Sequence, residues 1–165
     1  MLRRMLIETI RADPAWNNGN YSEQPPSVRL AYAFFSLATS GGTQSLHRAA
    51  PTRAQADRLV DNRLAQRATL DANDLIYLYD ASRDYDPAPQ LERIQARLLA
   101  INAADDERNP PELGILDREI KRVKNGRFYI IPGSAETRGH GTSGDAKWWK
   151  HLLPDLLREP PAGGQ

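Results

Sequence analysis

Two short segments hold the residues most able to do chemistry. LLAINAADDERNPP (98–111) and FYIIPGSAETRGHG (128–141) each run from an apolar, strand-like stretch into a polar loop. The first loop offers an aspartate, Asp105 or Asp106, and the second offers His140. A carboxylate held at the Nδ1–H of an imidazole fixes its tautomer and stabilises the imidazolium formed when the other ring nitrogen takes a proton. Such a pair is two thirds of a Ser-His-Asp triad. The third member is not apparent: no Ser sits in a Gly-x-Ser-x-Gly turn, and the chain contains no Cys. Ser134 and Ser143 are near His140 in sequence, yet neither belongs to the strained strand-to-helix turn that exposes a nucleophile.

Each candidate also has a plainer reading. Acids ahead of a helix are commonly solvated or serve as caps, so Asp105 or Asn109 fits a capping role on the helix that follows. His140 lies between Gly139 and Gly141, outside any regular element, where a lone histidine is often only a surface residue. His47, in an early loop, and His151, on the flank of the last helix, have weaker claims. Asp105, Asp106, Glu107 and His140 have the ligand types for a metal but none of the recognised ligand spacings. No cofactor-binding motif is present, so no cofactor is expected. Trp16, Asn17 and Tyr21 suit either a pocket wall or a loop packed down by its own aromatics.

The elements that must position these side chains change character along the chain. Leu2, Leu6 and Ile10, with Met5, form an apolar helical stripe that stops at Asp13-Pro14. WNNGNYSEQPP (16–26) reads as a loop, its Asn and Gly tolerant of positive φ. Val28 to Leu37 is an apolar helix ended by Ser40-Gly41-Gly42. Thr52 with Gln55 is a capping box opening a helix whose Ala56, Leu59, Val60 and Leu64 share a face. Leu75, Ile76, Leu78 and Tyr79 mark another helix before the turn-rich DYDPAP (84–89). From Leu91 the pattern alternates: a short helix (Gln90–Ala96), a buried-strand run Leu98–Asn102, a helix opened by Pro110-Pro111 with Leu113, Leu116, Ile120 and Val123 on one face, a strand Phe128–Ile131, and a closing helix carrying Ala146, Trp149, Leu153 and Leu156. Strand, helix, strand, helix implies parallel α/β units, whose sites form beyond the carboxyl ends of the strands. The expected organisation is a helical cap or lid over 1–86, an α/β portion over 87–157 and a disordered tail over 158–165.

Composition adds exclusions. The chain has 165 residues, a net charge of +1, and Lys and Arg interleaved with Asp and Glu, which gives no nucleic-acid footprint. No apolar run approaches the roughly 20 residues that span a bilayer, and LRRMLIETI does not read as a signal peptide, so a cytoplasmic protein with no membrane partner is expected.

The two loops, in this order, resemble those of α/β-hydrolase-fold enzymes. In that family an apolar-apolar-x-apolar strand is followed four residues later by the triad acid, with a proline four residues beyond. LLAINAADDERNP has that frame, which places Asp106 rather than Asp105 in the acid position and Pro110 in the trailing one. YIIPGSAETRGHG resembles the last strand and histidine loop. More specifically, MLIETIRADPAWNNGNY and RDYDPAPQLERIQARLLAIN look like the cap and C-terminal half of homoserine O-acetyltransferase-like proteins. The resemblance implies the C-terminal part of an α/β-hydrolase fold, with Asp106 as triad acid and His140 as general base. It also implies a small-molecule acyl donor and acceptor, and a homodimer or a complementing N-terminal half as protein partner. The order Ser…Asp…His puts the nucleophile and oxyanion donors in an N-terminal half not represented among these residues, and the opening directly in helix accords with that. The chain on its own is therefore expected to be catalytically silent. Family members follow the histidine with Asp-Ala-Phe where this chain has Gly-Thr-Ser-Gly, which leaves the acceptor, water or an alcohol, open. The alternative from a different class is a non-catalytic helical interaction module with a minor strand pair.

Overall fold

The computed structural model describes residues 1–66 and 69–158, so the tail expected to be disordered lies, from residue 159 onward, outside the described residues. Seven α-helices and two strands occur among them, with several 3₁₀ turns between. The chain divides into two compact units, residues 1–38 with 49–85 and residues 39–48 with 86–165. Among the described residues no helix is long and apolar enough to cross a membrane.

In the first unit, α1 (Leu2–Arg11), α2 (Ser27–Ser40) and α5 (Ala72–Asp80) build a core from Leu6, Ile7, Ile10, Val28, Phe35, Leu75 and their neighbours. The stripe of α1 is completed by Ile7, whereas Met5 faces solvent. Asp13 ends that helix as the sequence implies and then works as a cap: one carboxylate oxygen accepts the N–H of Ala15 at 2.9 Å and the other that of Ser27 at 2.9 Å. In the loop that follows, Asn17 and Asn18 take left-handed φ of 45° and 53°. α3 (Thr43–Ala49) is a helix that the sequence reading missed, since TQSLHRA has no apolar period; His47 sits on it rather than in a loop. α4 (Arg53–Ala65) begins at Thr52, but the expected capping box is altered: the Thr52 hydroxyl donates to Gln55 Oε1 at 2.6 Å and leaves the backbone N–H groups uncapped by side chains. Its expected apolar face buries no residue.

In the second unit, β1 (Leu98–Ala103) and β2 (Gly126–Ile131) pair in parallel, from Leu98 opposite Gly126 to Ala103 opposite Ile131. Two expected helices are shorter than the apolar pattern implies. Gly114, at φ 63°, divides the 110–124 segment into a 3₁₀ turn Pro111–Leu113 and α6 (Ile115–Ile120), with Leu113 left exposed. The closing segment is two 3₁₀ turns and then α7 (Leu153–Arg158). Likewise Ala88–Arg93 is a 3₁₀ turn where a short helix over 90–96 was expected. His151 falls in a 3₁₀ turn, edge-on to Tyr129 at 5.9 Å.

Candidate functional site

Both strands end at one level, Ala103 beside Ile131, so the loops that follow leave the sheet together. This brings Asp106 to His140 across a long sequence separation. Imidazole Nδ1 lies 3.0 Å from Asp106 Oδ2 and 3.2 Å from Oδ1. The carboxylate is buried, with 3% of its side chain exposed, while the imidazole retains 35%. Asp106 Oδ1 also accepts the backbone N–H of Arg108 at 2.8 Å and of Asn109 at 3.0 Å, so the carboxylate that faces His140 also caps its own loop. Burial pushes its pKa upward, but the N–H of Asn109, the His140 ring and the N–H of Arg108 outweigh that, and the net displacement is below the ordinary carboxylate value. An ionised Asp106 takes a proton-bearing Nδ1, which leaves Nε2 with its lone pair. Among the described residues no group hydrogen-bonds Nε2; the ring's polar contacts, including Asn109 Nδ2 at 3.4 Å, all run through Nδ1.

The other sequence candidates are placed as follows. Asp105 does not reach the imidazole; its Oδ2 lies 2.8 Å from the Thr137 hydroxyl and 3.3 Å from the N–H of Gly139. Glu107 accepts the N–H of His140 at 3.2 Å and of Gly42 at 2.6 Å. Among the described residues no group of three acidic, His or Cys side chains is arranged to hold a metal. Ser134 Oγ accepts the N–H of Glu136 and of Thr137, a local turn, and the Ser143 hydroxyl donates to the His140 carbonyl at 3.3 Å. Trp16 and Tyr21 bind within the first unit: indole Nε1 donates to Asn73 Oδ1 at 2.8 Å and the Tyr21 hydroxyl donates to Asp71 Oδ1 at 2.6 Å. The Asn17 amide donates to the Asn20 carbonyl in the same loop. Trp16 and Tyr21 thus tie the loop to the start of α5, and Asn17 bonds within the loop.

One supporting residue escaped the sequence reading. Asn102, at the penultimate position of β1, donates its amide to the Asn109 carbonyl at 2.8 Å and so closes the acid loop on its strand. A polar residue ending an apolar strand was the available signal. Beside the pair lies a cavity of about 570 Å³, lined among others by Ile101, Pro110, Leu116, Asp106 and His140, within the range of small-ligand pockets.

No family model matches the sequence, and a search of curated proteins returns no match. Solved structures do match. A homoserine O-acetyltransferase from Bacillus anthracis superposes with a TM-score of 0.77 at 20% identity, over 98% of this chain and 49% of its own. The fold is that of the α/β-hydrolases. The acetyl esterase MekB (TM-score 0.64, 22% identity) covers 94% of this chain and 48% of its own. An acetylester hydrolase from Corynebacterium glutamicum (TM-score 0.62, 19% identity) covers the same shares. This chain thus spans about half the length of the α/β-hydrolase structures it matches.

Proposed function

We propose that this chain supplies the acid and base of a serine acyl enzyme resembling homoserine O-acetyltransferase, acting in acyl transfer or ester hydrolysis. The observation that carries it is the buried Asp106 carboxylate 3.0 Å from His140 Nδ1, with Nε2 open, on loops leaving the carboxyl ends of two parallel strands. In the first half-reaction Nε2 takes the proton from a serine hydroxyl as its oxygen bonds to the acyl carbon, and the imidazolium then gives that proton to the departing alcohol. In the second, Nε2 takes a proton from the acceptor, water or an alcohol, as its oxygen bonds to the acyl carbon, and the imidazolium returns that proton to the serine oxygen as its bond to the acyl carbon breaks. Asp106 remains ionised throughout and stabilises the imidazolium.

Nucleophile and oxyanion donors come, on this reading, from a segment outside residues 1–165, on the amino-terminal side in the order of the fold. The structures matched are named for acetyl transfer and acetyl-ester hydrolysis, which favours a small acyl donor.

The test is to find a Gly-x-Ser-x-Gly turn in the coding sequence on the 5′ side, in any frame, and to co-express that segment with this chain. Hydrolysis of p-nitrophenyl acetate that requires both pieces and is abolished by His140→Ala is the expected result. Hydrolysis by this chain alone that His140→Ala abolishes would overturn the external nucleophile. Hydrolysis by the combined pieces that is indifferent to His140→Ala would overturn the acid–base role.

A further inference from the structure

The acid loop presents three consecutive carboxylates, and all three meet the histidine loop at different points. Asp106 takes the ring. Asp105 Oδ2 takes the N–H of Gly139, and Glu107 Oε2 takes the N–H of His140 itself. The second oxygen of Glu107 takes the N–H of Gly42, from a segment 65 residues earlier, and Arg108 Nε donates to the Thr39 carbonyl in that same segment at 3.2 Å.

The approach is close enough to exclude side chains. A Cβ on Gly139, whose φ is 53°, would stand 1.9 Å from Glu107 Oε2. A Cβ on Gly42, at φ 69°, would stand 2.7 Å from the Gly139 nitrogen and 2.9 Å from Asp105 Oδ2. Both positions favour glycine for the left-handed backbone; at Gly42 the neighbouring backbone also leaves no space for a Cβ, and at Gly139 the space is taken by the Glu107 carboxylate.

We propose that Asp105 and Glu107 are positioning residues for His140. They hold the backbone from which the imidazole projects while Asp106 holds the ring, and Glu107 ties segment 39–48 to the same point. The inference rests on the acid–base role proposed above, but it concerns the orientation of the ring and is readable without turnover. A carboxylate accepting two backbone N–H groups cannot be replaced by an amide without setting a donor against a donor. Glu107→Gln therefore frees either Gly42 or His140; Asp105 accepts both of its bonds on Oδ2, so Asp105→Ala is the change that removes the bond to Gly139.

The experiment is magnetic resonance of the full chain carrying isotope-labelled histidine, following the His140 Nδ1 proton and the tautomer of its ring. In the parent chain the proton resides on Nδ1 and exchanges slowly. In Glu107→Gln and Asp105→Ala, with helical circular dichroism retained, its exchange quickens about tenfold and the second tautomer appears, as the loss of one charge-assisted bond implies. Glu136→Gln, an exposed acid in the same loop whose side chain, among the described residues, pairs with Lys147 at 3.9 Å, leaves the signal unchanged. A parental signal in both Glu107→Gln and Asp105→Ala overturns the positioning role, as does an equal change in Glu136→Gln. If Glu107→Gln does not fold, Gly42→Ala is read instead: displacement of the His140 signal supports the link to segment 39–48, and a parental signal overturns it. Asp106→Asn separates the two levels, because a His140 ring unaffected by that change removes the acid–base reading itself.

Discussion

The two units bury different things. Most of the buried apolar side chains among the described residues lie in residues 1–38 and 49–85, where Leu6, Ile10, Val28, Phe35 and Leu75 form one cluster. Every buried polar residue described, Thr39, Asn102, Asp106, Thr137 and Thr142, lies in the other unit. Both units also contain a polar loop built from Asp and Asn, and the loops differ in what they leave unsatisfied. Around Asp71 the circuit closes: the Tyr21 hydroxyl, the N–H of Asn73, the Asn73 amide and the Trp16 indole all find partners within the network. Around Asp106 the circuit ends on an imidazole whose Nε2 is open. A closed polar network lends stability, whereas a part-exposed imidazole nitrogen without a protein partner is left able to exchange a proton.

The comparison predicts a crossed pattern of mutational effects. The largest is on turnover in the complemented enzyme: Asp106→Asn should lower kcat on p-nitrophenyl acetate by about 10⁴-fold, the scale on which a triad acid acts through the tautomer. Its effect on stability should stay near 1 kcal/mol by urea unfolding, because the asparagine oxygen can still cap the loop. Next, Ile10→Ala, at a site with no exposed surface, should cost about 4 kcal/mol of stability and leave the His140 ring signal unmoved. Tyr21→Phe should cost about 1 kcal/mol, the worth of one hydrogen bond. A large loss of turnover in either first-unit variant, with folding retained, would break the division.

The smallest effect is in the pH dependence. Asp71 and Asp106 both have pKa values below their ordinary range, Asp71 chiefly through the Tyr21 hydroxyl and Asp106 despite its burial. A depressed folded pKa means that the contribution is fully present above the unfolded value of about 3.9 and is lost as pH falls through the folded one. Urea midpoints should therefore lose this contribution only below about pH 4. Asp71→Asn and Asp106→Asn should each flatten the acid limb, and Tyr21→Phe should flatten it slightly, through Asp71 alone.

How much of this was legible depended on whether a signal was local. The strands were visible as apolar runs, and their parallel pairing followed from alternation with helices. The meeting of Asp106 with His140 was legible only through resemblance, since neither residue's neighbours distinguish a site from a surface loop. What escaped was set by geometry that no period encodes: the break at Gly114 inside an apolar helical pattern, α3 formed from TQSLHRA, and the Asp71 cap. Glu107 escaped for the same reason. Its partner Gly42 is distant in sequence, and a glutamate after two aspartates looks like one more solvated charge.

The even termination of β1 and β2 has one more consequence. Because the strand register sets the height at which both loops begin, the connection between them, residues 110–125, bears on the Asp106–His140 distance through the register it permits, while its Pro110 and Leu116 line the cavity beside the pair. Insertions, deletions or a grafted domain in that connection are thus insulated from the Asp106–His140 distance. The three-residue reach from Ala103 to Asp106 has no such tolerance: dropping a single residue there would present Glu107 to the ring in place of Asp106.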